Sequence, residues 1–403
     1  MTQNQKVLIG ATVPILRQSG EVLTDYFYER MFRHHPELKS MFNMGNQANG
    51  RQKSALANAV LAYAENIDNP AVLIDVLKGI GSKHTSLNIQ PEQYKIVGTH
   101  LIASIREVIG EPATDEILEA WTTAFYQLAD IMIKIEKELY ADNLIKEGGW
   151  NGWRDFVIKK IDQESAEIKS FYLYPKDGKA IADFHPGQFI SIQIFIRELN
   201  LLQPRQYSLS NSYNAEYYRI SVKKESGMHS NPAGTVSNAL HAKSEGDIVS
   251  ISAPSGLFHL EKDSKSPLVL ISGGVGLTPM VSMLEANMKS LQHKKTVWIH
   301  GCRNESVHAF KNHIEHLKQN TQWLETYTFY DSAKNLQNLP ADTFIGRVNL
   351  EKCLHAVQLQ DARFYICGPE IFIKVQYESL INLNVNAENI FYEEFGPQLI
   401  NLN

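Results

Sequence analysis

Apolar residues in the first third of the chain recur every three or four positions, and that spacing predicts one amphipathic helix after another. "TDYFYERMFRHHPELKSMF" carries such a helix up to Pro36. "RQKSALANAVLAYAENI" repeats the period through Leu56, Val60, Tyr63 and Ile67. "PEQYKIVGTHLIASIREVI" opens with Pro91 in its first turn, where proline is tolerated. "TDEILEAWTTAFYQLADIMIKIEKELY" reads as a long helix with acids in its first turn, which suits the helix dipole. "EGGWNGW" then breaks the pattern.

Beyond it the period falls to two. "GQFISIQIFI" places Ile190, Ile192 and Ile194 on one face, and "YYRISVKK" does the same with Tyr218, Ile220 and Val222. With "GDIVSIS" closing the set, a small antiparallel barrel is predicted. From Ser266 onward, buried strands ("PLVLIS", "TVWIHG", "RFYICG") alternate with helical runs, the mark of a parallel α/β sheet. The predicted fold class is thus multidomain: an all-α segment (1–147), an antiparallel β-barrel (148–265) and an α/β parallel-sheet domain (266–403).

Composition narrows the functional classes. A length of 403 residues calls for two or three cores, and 43% hydrophobic with 21% charged residues is globular rather than disordered. A net charge of −5 gives no reason to expect nucleic acid or an anionic membrane surface as partner. No apolar run approaches a membrane span, and "MTQNQKVLIG" carries no export signal. Cys302, Cys353 and Cys367 form no metal cluster, disulfide framework or haem-attachment motif. The expected location is a reducing cytoplasm, without integral membrane association, and a monomer is the working expectation.

Several polar residues interrupt the apolar faces. His84, in "KGIGSKHTSLN", lies in a stripe with Leu73, Leu77, Ile80 and Leu87. Two readings are open: a core imidazole bonded to a backbone carbonyl, or a ligand to something held inside that core. Tyr94 shares a stripe with Val97, Leu101, Ile105 and Val108; Glu136 follows Phe125, Ala129 and Met132; Gln52 precedes Leu56, Val60 and Tyr63. A polar group on a core face needs a partner, so several on successive helices point to a shared polar site.

The later segments carry phosphate-binding features. "RQYSLS" puts a cation, an aromatic and a hydroxyl on one barrel strand. "GTVSN" precedes a helical run whose first N–H groups could face a phosphate. In "LVLISGGVGLTPM" a buried strand runs into Gly273, Gly274, Val275 and Gly276, after which Leu277, Thr278 and Pro279 begin a helix. Glycines at such a turn let the backbone approach a dinucleotide closely, although Pro279 replaces the last glycine of the full fingerprint. "YICGPE" ends a later strand in the same way, so two strand ends should converge on one crevice.

In this order, "RQYS", "GTVSN", "GGVGLTPM", "CGP" and "YEEFGP" resemble the ferredoxin–NADP reductase-like family over about residues 153–403. The resemblance implies that Arg205 contacts an FAD phosphate, with Gln206 beside it, that Tyr207 stacks along the flavin and that Ser208 bonds near its reactive nitrogen. Gly234, Val236 and Ser237 would serve the same cofactor. Gly273 to Pro279 and Cys367, Gly368 and Pro369 would hold NAD(P)H. Phe395 would cover the flavin near its nicotinamide side, in a cofactor-binding run with Glu393, Glu394, Gly396 and Pro397. Phe189 stands where relatives usually have tyrosine, which keeps the ring packing and removes one hydroxyl.

Residues 1–147 look like a bacterial globin, through "FYERMF" with Tyr28, "HPELKSMFN" with Phe42, "NGRQKSAL" with Gln52 and Leu56, and "KHTSL" with His84. Together the two halves make the whole chain similar to the flavohaemoglobins. That resemblance implies haem b, FAD and NAD(P)H as cofactors and His84 as the iron ligand. It further implies Tyr94 and Glu136 as the ligand's charge relay, Tyr28, Gln52 and Leu56 on the opposite side, and Phe42 against the porphyrin. Lys83 and Glu393 would lie at the haem–flavin junction. The implied reaction is nitric oxide dioxygenation, with oxygen, nitric oxide and NAD(P)H as small-molecule partners. An oxygen-binding store or sensor, and a haem–flavin reductase of hydroperoxides or other acceptors, are the alternatives.

Overall fold

The computed structural model describes residues 1–48, 50–227, 233–261, 264–332, 339–354 and 360–396. Helices α1 (Gln3–His34), α2 (Met44–Ala48), α3 (Arg51–Glu65), α4 (Ile74–Ser86), α5 (Pro91–Ile109) and α6 (Asp115–Ile145) come first. α1 starts well before the segment whose period announced it. Its N-terminal half buries only Ile9, Thr12 and Leu16, a thin stripe, and it contains Pro14. A reciprocal cap holds the start: Thr2 Oγ1 accepts from Gln5 N at 3.2 Å and Thr2 N donates to Gln5 Oε1 at 2.9 Å.

α6 is the spine of this lobe. Its N-cap Thr114 accepts from Ile117 N, and Trp121, Ala124, Ala129 and Met132 are buried along it. α4 and α5 approach it closely enough to require glycine. A Cβ on Gly81 would lie 2.9 Å from Ile135 Cγ2, and one on Gly98 would lie 2.5 Å from Phe125 Cε1. No helix among the described residues is long and apolar enough to cross a membrane.

The second lobe is a six-stranded antiparallel sheet of β1 (Arg154–Gln163), β2 (Ile168–Pro175), β3 (Phe189–Ile196), β4 (Leu201–Ser208), β5 (Tyr218–Lys223) and β6 (Ile248–Ile251), with α7 (Thr235–His241) between the last two. The strand order is β4-β3-β6-β1-β2-β5. A bridge between Leu209, just past β4, and Ile220 of β5 brings the two outer strands together, which gives the curled, barrel-like form. Ile190, Ile192, Ile194, Tyr218, Ile220 and Val222 all enter one core with Phe156 and Phe171. The alternation therefore holds on the inner face.

The outer face departs from the simple two-sided pattern. Phe189 and Ser191 of β3 are buried, as are Arg219 and Ser221 of β5. Both strands are covered from outside: α4 lies over Ser191 through Ser86, and the third lobe lies over Arg219 through Glu285.

That third lobe is a parallel sheet of β7 (Leu268–Gly273), β8 (Thr296–Cys302), β9 (Leu324–Tyr330), β10 (Thr343–Ile345), β11 (Arg363–Gly368) and β12 (Ile390–Glu394), with α8 (Leu277–Lys289), α9 (Lys311–Asn320) and α10 (Glu370–Asn382). The order β10-β9-β8-β7-β11-β12 reverses direction at the β7/β11 pair. Ligands of open parallel sheets bind outside the strand ends at such a switch point. Arg219 of β5 and Glu285 of α8 pair at 2.8 Å and tie the antiparallel sheet to the third lobe, and Ser282 Oγ of α8 donates to Asn211 O at 2.7 Å.

Candidate functional site

His84 sits in the last turn of α4 on the side that meets α6. Its Nδ1 lies 2.7 Å from Glu136 Oε1 and 3.1 Å from Tyr94 Oη. Tyr94 in turn donates to the same carboxylate oxygen at 2.5 Å. The three polar residues that interrupted three separate helical stripes therefore meet at one point. Glu136 is buried, 2% exposed, so its carboxylate accepts two bonds in a poorly solvated place. Burial, with the Glu136 charge added, drives the Tyr94 hydroxyl far above its ordinary range, so it stays a donor. With Nδ1 engaged by the carboxyl group, Nε2 is the ring nitrogen that a metal ion would take.

Tyr28 lies on α1 with its hydroxyl buried, and burial pushes it up to about 12, partly offset by the amides of Gln52 and Gln47. Phe42 meets the Tyr28 ring edge-on at 5.7 Å, and Phe32 stands 5.3 Å from Phe42. Leu56 is packed against the same core. Gln47 was not foreseen. Both polar atoms of its side chain are buried without a well-formed hydrogen bond among the described residues, while the amide faces the Tyr28 hydroxyl, and a half-satisfied amide beside a buried phenol suits a polar ligand or water. Its place on a five-residue helix, too short to show a period, hid it.

The flavin-type motifs converge on β3 and β4. Cross-strand register sets Phe189 opposite Ser208, Ile190 opposite Tyr207 and Ile192 opposite Arg205. Arg205 is partly buried, and burial lowers its guanidinium to about 10. Among the described residues its one hydrogen bond is from Nη1 to the neighbouring Pro204 carbonyl at 2.6 Å. A cation with no carboxylate partner among those residues suits a phosphate. Burial also raises Tyr207 well above its ordinary value, with Arg205 opposing. Gln206 Nε2 donates to Ser191 Oγ at 3.3 Å.

Gly234 precedes α7, whose Val236 is buried. The Ser237 hydroxyl is engaged locally: it donates to Gly234 O and accepts from Glu225 N. What this turn can offer an anion is backbone N–H.

At the switch point, Gly273, Gly274, Val275 and Gly276 run into Leu277, Thr278 and Pro279 at the start of α8. A Cβ on Gly276 would stand 2.2 Å from the Cys367 carbonyl oxygen, so the two strand ends touch backbone to backbone. Thr278 Oγ1 donates to Val275 O at 3.1 Å, closing that turn. Cys367 is fully buried, and burial keeps its thiol protonated. Gly368 and Pro369 lead into α10, whose Phe372 ring would lie 3.0 Å from a Cβ on Gly273 and 2.8 Å from one on Gly368. The Phe372 ring thus packs against the backbone of both glycines at the crevice.

β12 links this crevice to the helical lobe. Glu393 pairs in register with Cys367 and Glu394 with Gly368. Just beyond the strand, Phe395 is 40% exposed and Gly396 O accepts from Lys83 Nζ of α4 at 2.9 Å. Pro397 lies outside the described residues. Burial lowers Lys83, with Glu393 and Glu394 opposing. Burial raises Glu393 to about 7, and its Oε2 has no partner among the described residues.

Known proteins share this architecture. A globin family model matches residues 25–132, and an oxidoreductase NAD-binding domain model matches residues 270–378. The flavohemoprotein of Rhizobium meliloti is 46% identical over 99% of both chains. That of Bordetella pertussis is 46% identical over 97% of both. Among solved structures, a flavohemoglobin from Malassezia yamatoensis with bound FAD and heme has a TM-score of 0.85, 27% identity and covers 98% of this chain and 99% of its own. The flavohem-like FAD/NAD binding domain of a nitric oxide dioxygenase from Vibrio cholerae has a TM-score of 0.54 and 34% identity, over 60% of this chain and 99% of its own. Helical lobe, antiparallel barrel and parallel sheet, matched end to end by such relatives, make this chain a member of the flavohaemoprotein family, an oxidoreductase that joins a globin to a flavin–nicotinamide reductase module.

Proposed function

We propose that this protein is an NAD(P)H-dependent nitric oxide dioxygenase that carries haem b and FAD and converts nitric oxide, with dioxygen, to nitrate. The observation that carries the reading is the His84–Glu136–Tyr94 relay in the same lobe as a buried, protonated Tyr28, in one chain with a reductase. The Vibrio cholerae domain, described as part of a nitric oxide dioxygenase, supports it for the reductase half.

The residues fit the two cofactors. Among the described residues no group of three His, Cys, Asp or Glu side chains could hold a metal ion. A lone, oriented imidazole is what an iron with porphyrin as its remaining ligand set requires. Nicotinamide gives up two electrons as hydride and haem iron takes one at a time, and flavin mediates between the two.

The chain's own groups do the rest. Glu136 fixes the His84 tautomer and raises the basicity of Nε2, which strengthens it as a donor. Tyr28 offers a hydroxyl that stays protonated through the neutral range, a donor that would steady negative charge developing on an oxygen substrate brought to that side of the lobe. Gln52 orients that hydroxyl, while Phe42 and Leu56 supply apolar wall. Arg205 and the α7 turn hold phosphate, Phe189 and Tyr207 supply ring faces, and Ser208 supplies a hydroxyl to the flavin. The Gly273–Pro279 turn and Cys367–Pro369 receive the nicotinamide nucleotide.

Purified protein should show combined haem and flavin absorption. NAD(P)H consumption should rise with nitric oxide and dioxygen together and yield nitrate. Turnover of hydroperoxide at equal or greater efficiency, without nitrate formation, rejects the reading. Arg205→Ala should weaken FAD retention by about 1.5–3 kcal/mol, the range for a hydrogen bond to a charged group. Flavin released on gel filtration measures it, and oxygen binding by chemically reduced protein should stay as in the parent.

A further inference from the structure

The helix that carries His84 turns its other side to the barrel, and two buried serines one turn apart make the contact. Ser82 is 3% exposed, Ser86 2% and Ser191 0%. The Ser82 and Ser255 hydroxyls are 2.7 Å apart. Ser255 Oγ donates to Ser82 O at 2.8 Å, and Gly256 N donates to Ser82 Oγ at 2.8 Å. The Ser82 hydroxyl therefore donates to Ser255 and accepts from Gly256, and is fully used.

At Ser86 the bonds run in one direction. Gln206 Nε2 donates to Ser191 Oγ at 3.3 Å, Ser191 Oγ to Ser86 Oγ at 2.8 Å, and Ser86 Oγ to Lys83 O at 2.7 Å. Aligned chains of this kind strengthen one another in a poorly solvated setting.

The partners on the barrel side are the elements of the flavin site. Gln206 belongs to the "RQYS" strand. Phe189 pairs with Ser255 across an isolated bridge, and a Cβ on Gly256 would lie 3.0 Å from the Phe189 ring. Two hydroxyls on α4 thus grip both walls of the site assigned to FAD, and His84 lies between them in sequence.

We propose that Ser82 and Ser86 are positioning residues for electron transfer, a clamp that fixes the haem-ligand helix at one distance and angle from the flavin strands. The proposal rests on the haem and FAD reading above. In the step concerned one electron leaves reduced flavin and one ferric iron is reduced; no bond forms or breaks in the clamp. The clamp's part is geometric. The rate of that step depends on how far apart and at what angle the two groups are held.

The test uses the full-length holoprotein and the variants S82A, S86A and S82A/S86A, mixed with NADH in the absence of oxygen. Flavin bleaching and the haem Soret shift are followed separately by stopped flow. In the double variant haem reduction should slow by about tenfold, which is about 1.4 kcal/mol in its barrier. Flavin reduction, both midpoint potentials and the iron–histidine stretching frequency should match the parent. S191A removes the same contact from the barrel side and should reproduce S86A, so the two single variants decide the matter if the double variant fails to fold. An unchanged haem-reduction rate in the singles and the double overturns the clamp. So does a slower rate that a shifted potential fully accounts for. Protein without haem and flavin bands overturns the cofactor reading itself, an outcome distinct from intact bands with an unchanged rate.

Discussion

Replacing His84 with alanine is expected to leave a folded flavoprotein that no longer retains haem. The imidazole is the iron ligand in the proposed reading, and Tyr94 donates to Glu136 at 2.5 Å, so the buried carboxylate should keep a partner in the variant. α4 also keeps its seat through Leu77 and the Ser82 and Ser86 contacts. The flavin strands stand in a separate core. Loss of an outer partner alone typically costs about 10- to 100-fold in metal affinity, and loss of the ligand should cost more. Haem content against flavin content measures the effect, and NADH-driven reduction of artificial acceptors should persist. A variant that kept one haem per chain with an unchanged reduced spectrum would refute the ligand assignment.

Tyr28→Phe should speed dioxygen release from the reduced protein by at least about tenfold. The substitution keeps the ring, with its edge contact to Phe42, and removes only the donor. A hydrogen bond to a charged acceptor contributes about 1.5–3 kcal/mol, and about 1.4 kcal/mol corresponds to tenfold in rate. Carbon monoxide gathers less charge when bound, so its binding should change little. Because burial holds the hydroxyl at about 12, the difference between variant and parent should be flat across the neutral range. Nitrate production should fall most at low oxygen, while flavin reduction stays at the parent rate. Stopped-flow oxygen release is the measurement, and an unchanged rate removes Tyr28 from the mechanism.

What the sequence made legible follows from what periodicity records. His84, Tyr94 and Glu136 each broke a stripe on a separate helix, and a polar group on an apolar face carries its own signal because it must be paired. The glycines of Gly273–Gly276 were legible for a similar reason: Gly276 lies where any side chain would strike the Cys367 carbonyl. The strands β3 and β5 showed their inner faces through Ile190, Ile192, Tyr218 and Ile220. Their outer faces were silent. Ser191 and Arg219 look like solvated positions in a two-residue period, and only the folded assembly reveals that other lobes cover them. Ser82 and Ser86 escaped for the same reason, as ordinary helix serines until a second lobe arrives. The first half of α1 escaped because its apolar stripe is thin and Pro14 reads as a breaker.

The pairing of Arg219 with Glu285 bears on how the enzyme answers to salt. Both side chains are largely shielded, at 10% and 17% exposure, and the Arg219 guanidinium also lies 5.1 Å from the Phe310 ring centre. Removing one member of a buried pair typically costs about 3–5 kcal/mol. Exposed pairs such as Arg17 with Glu65, at 65% and 34%, are screened once the Debye length shrinks to about 3 Å in molar salt. The buried pair is out of reach of those ions. Brine should therefore loosen the rim of the globin lobe before it shifts the nicotinamide sheet against the barrel. Any slowing of hydride delivery at high ionic strength would then reflect a weaker hold on the nucleotide's phosphates, with the frame around them unmoved.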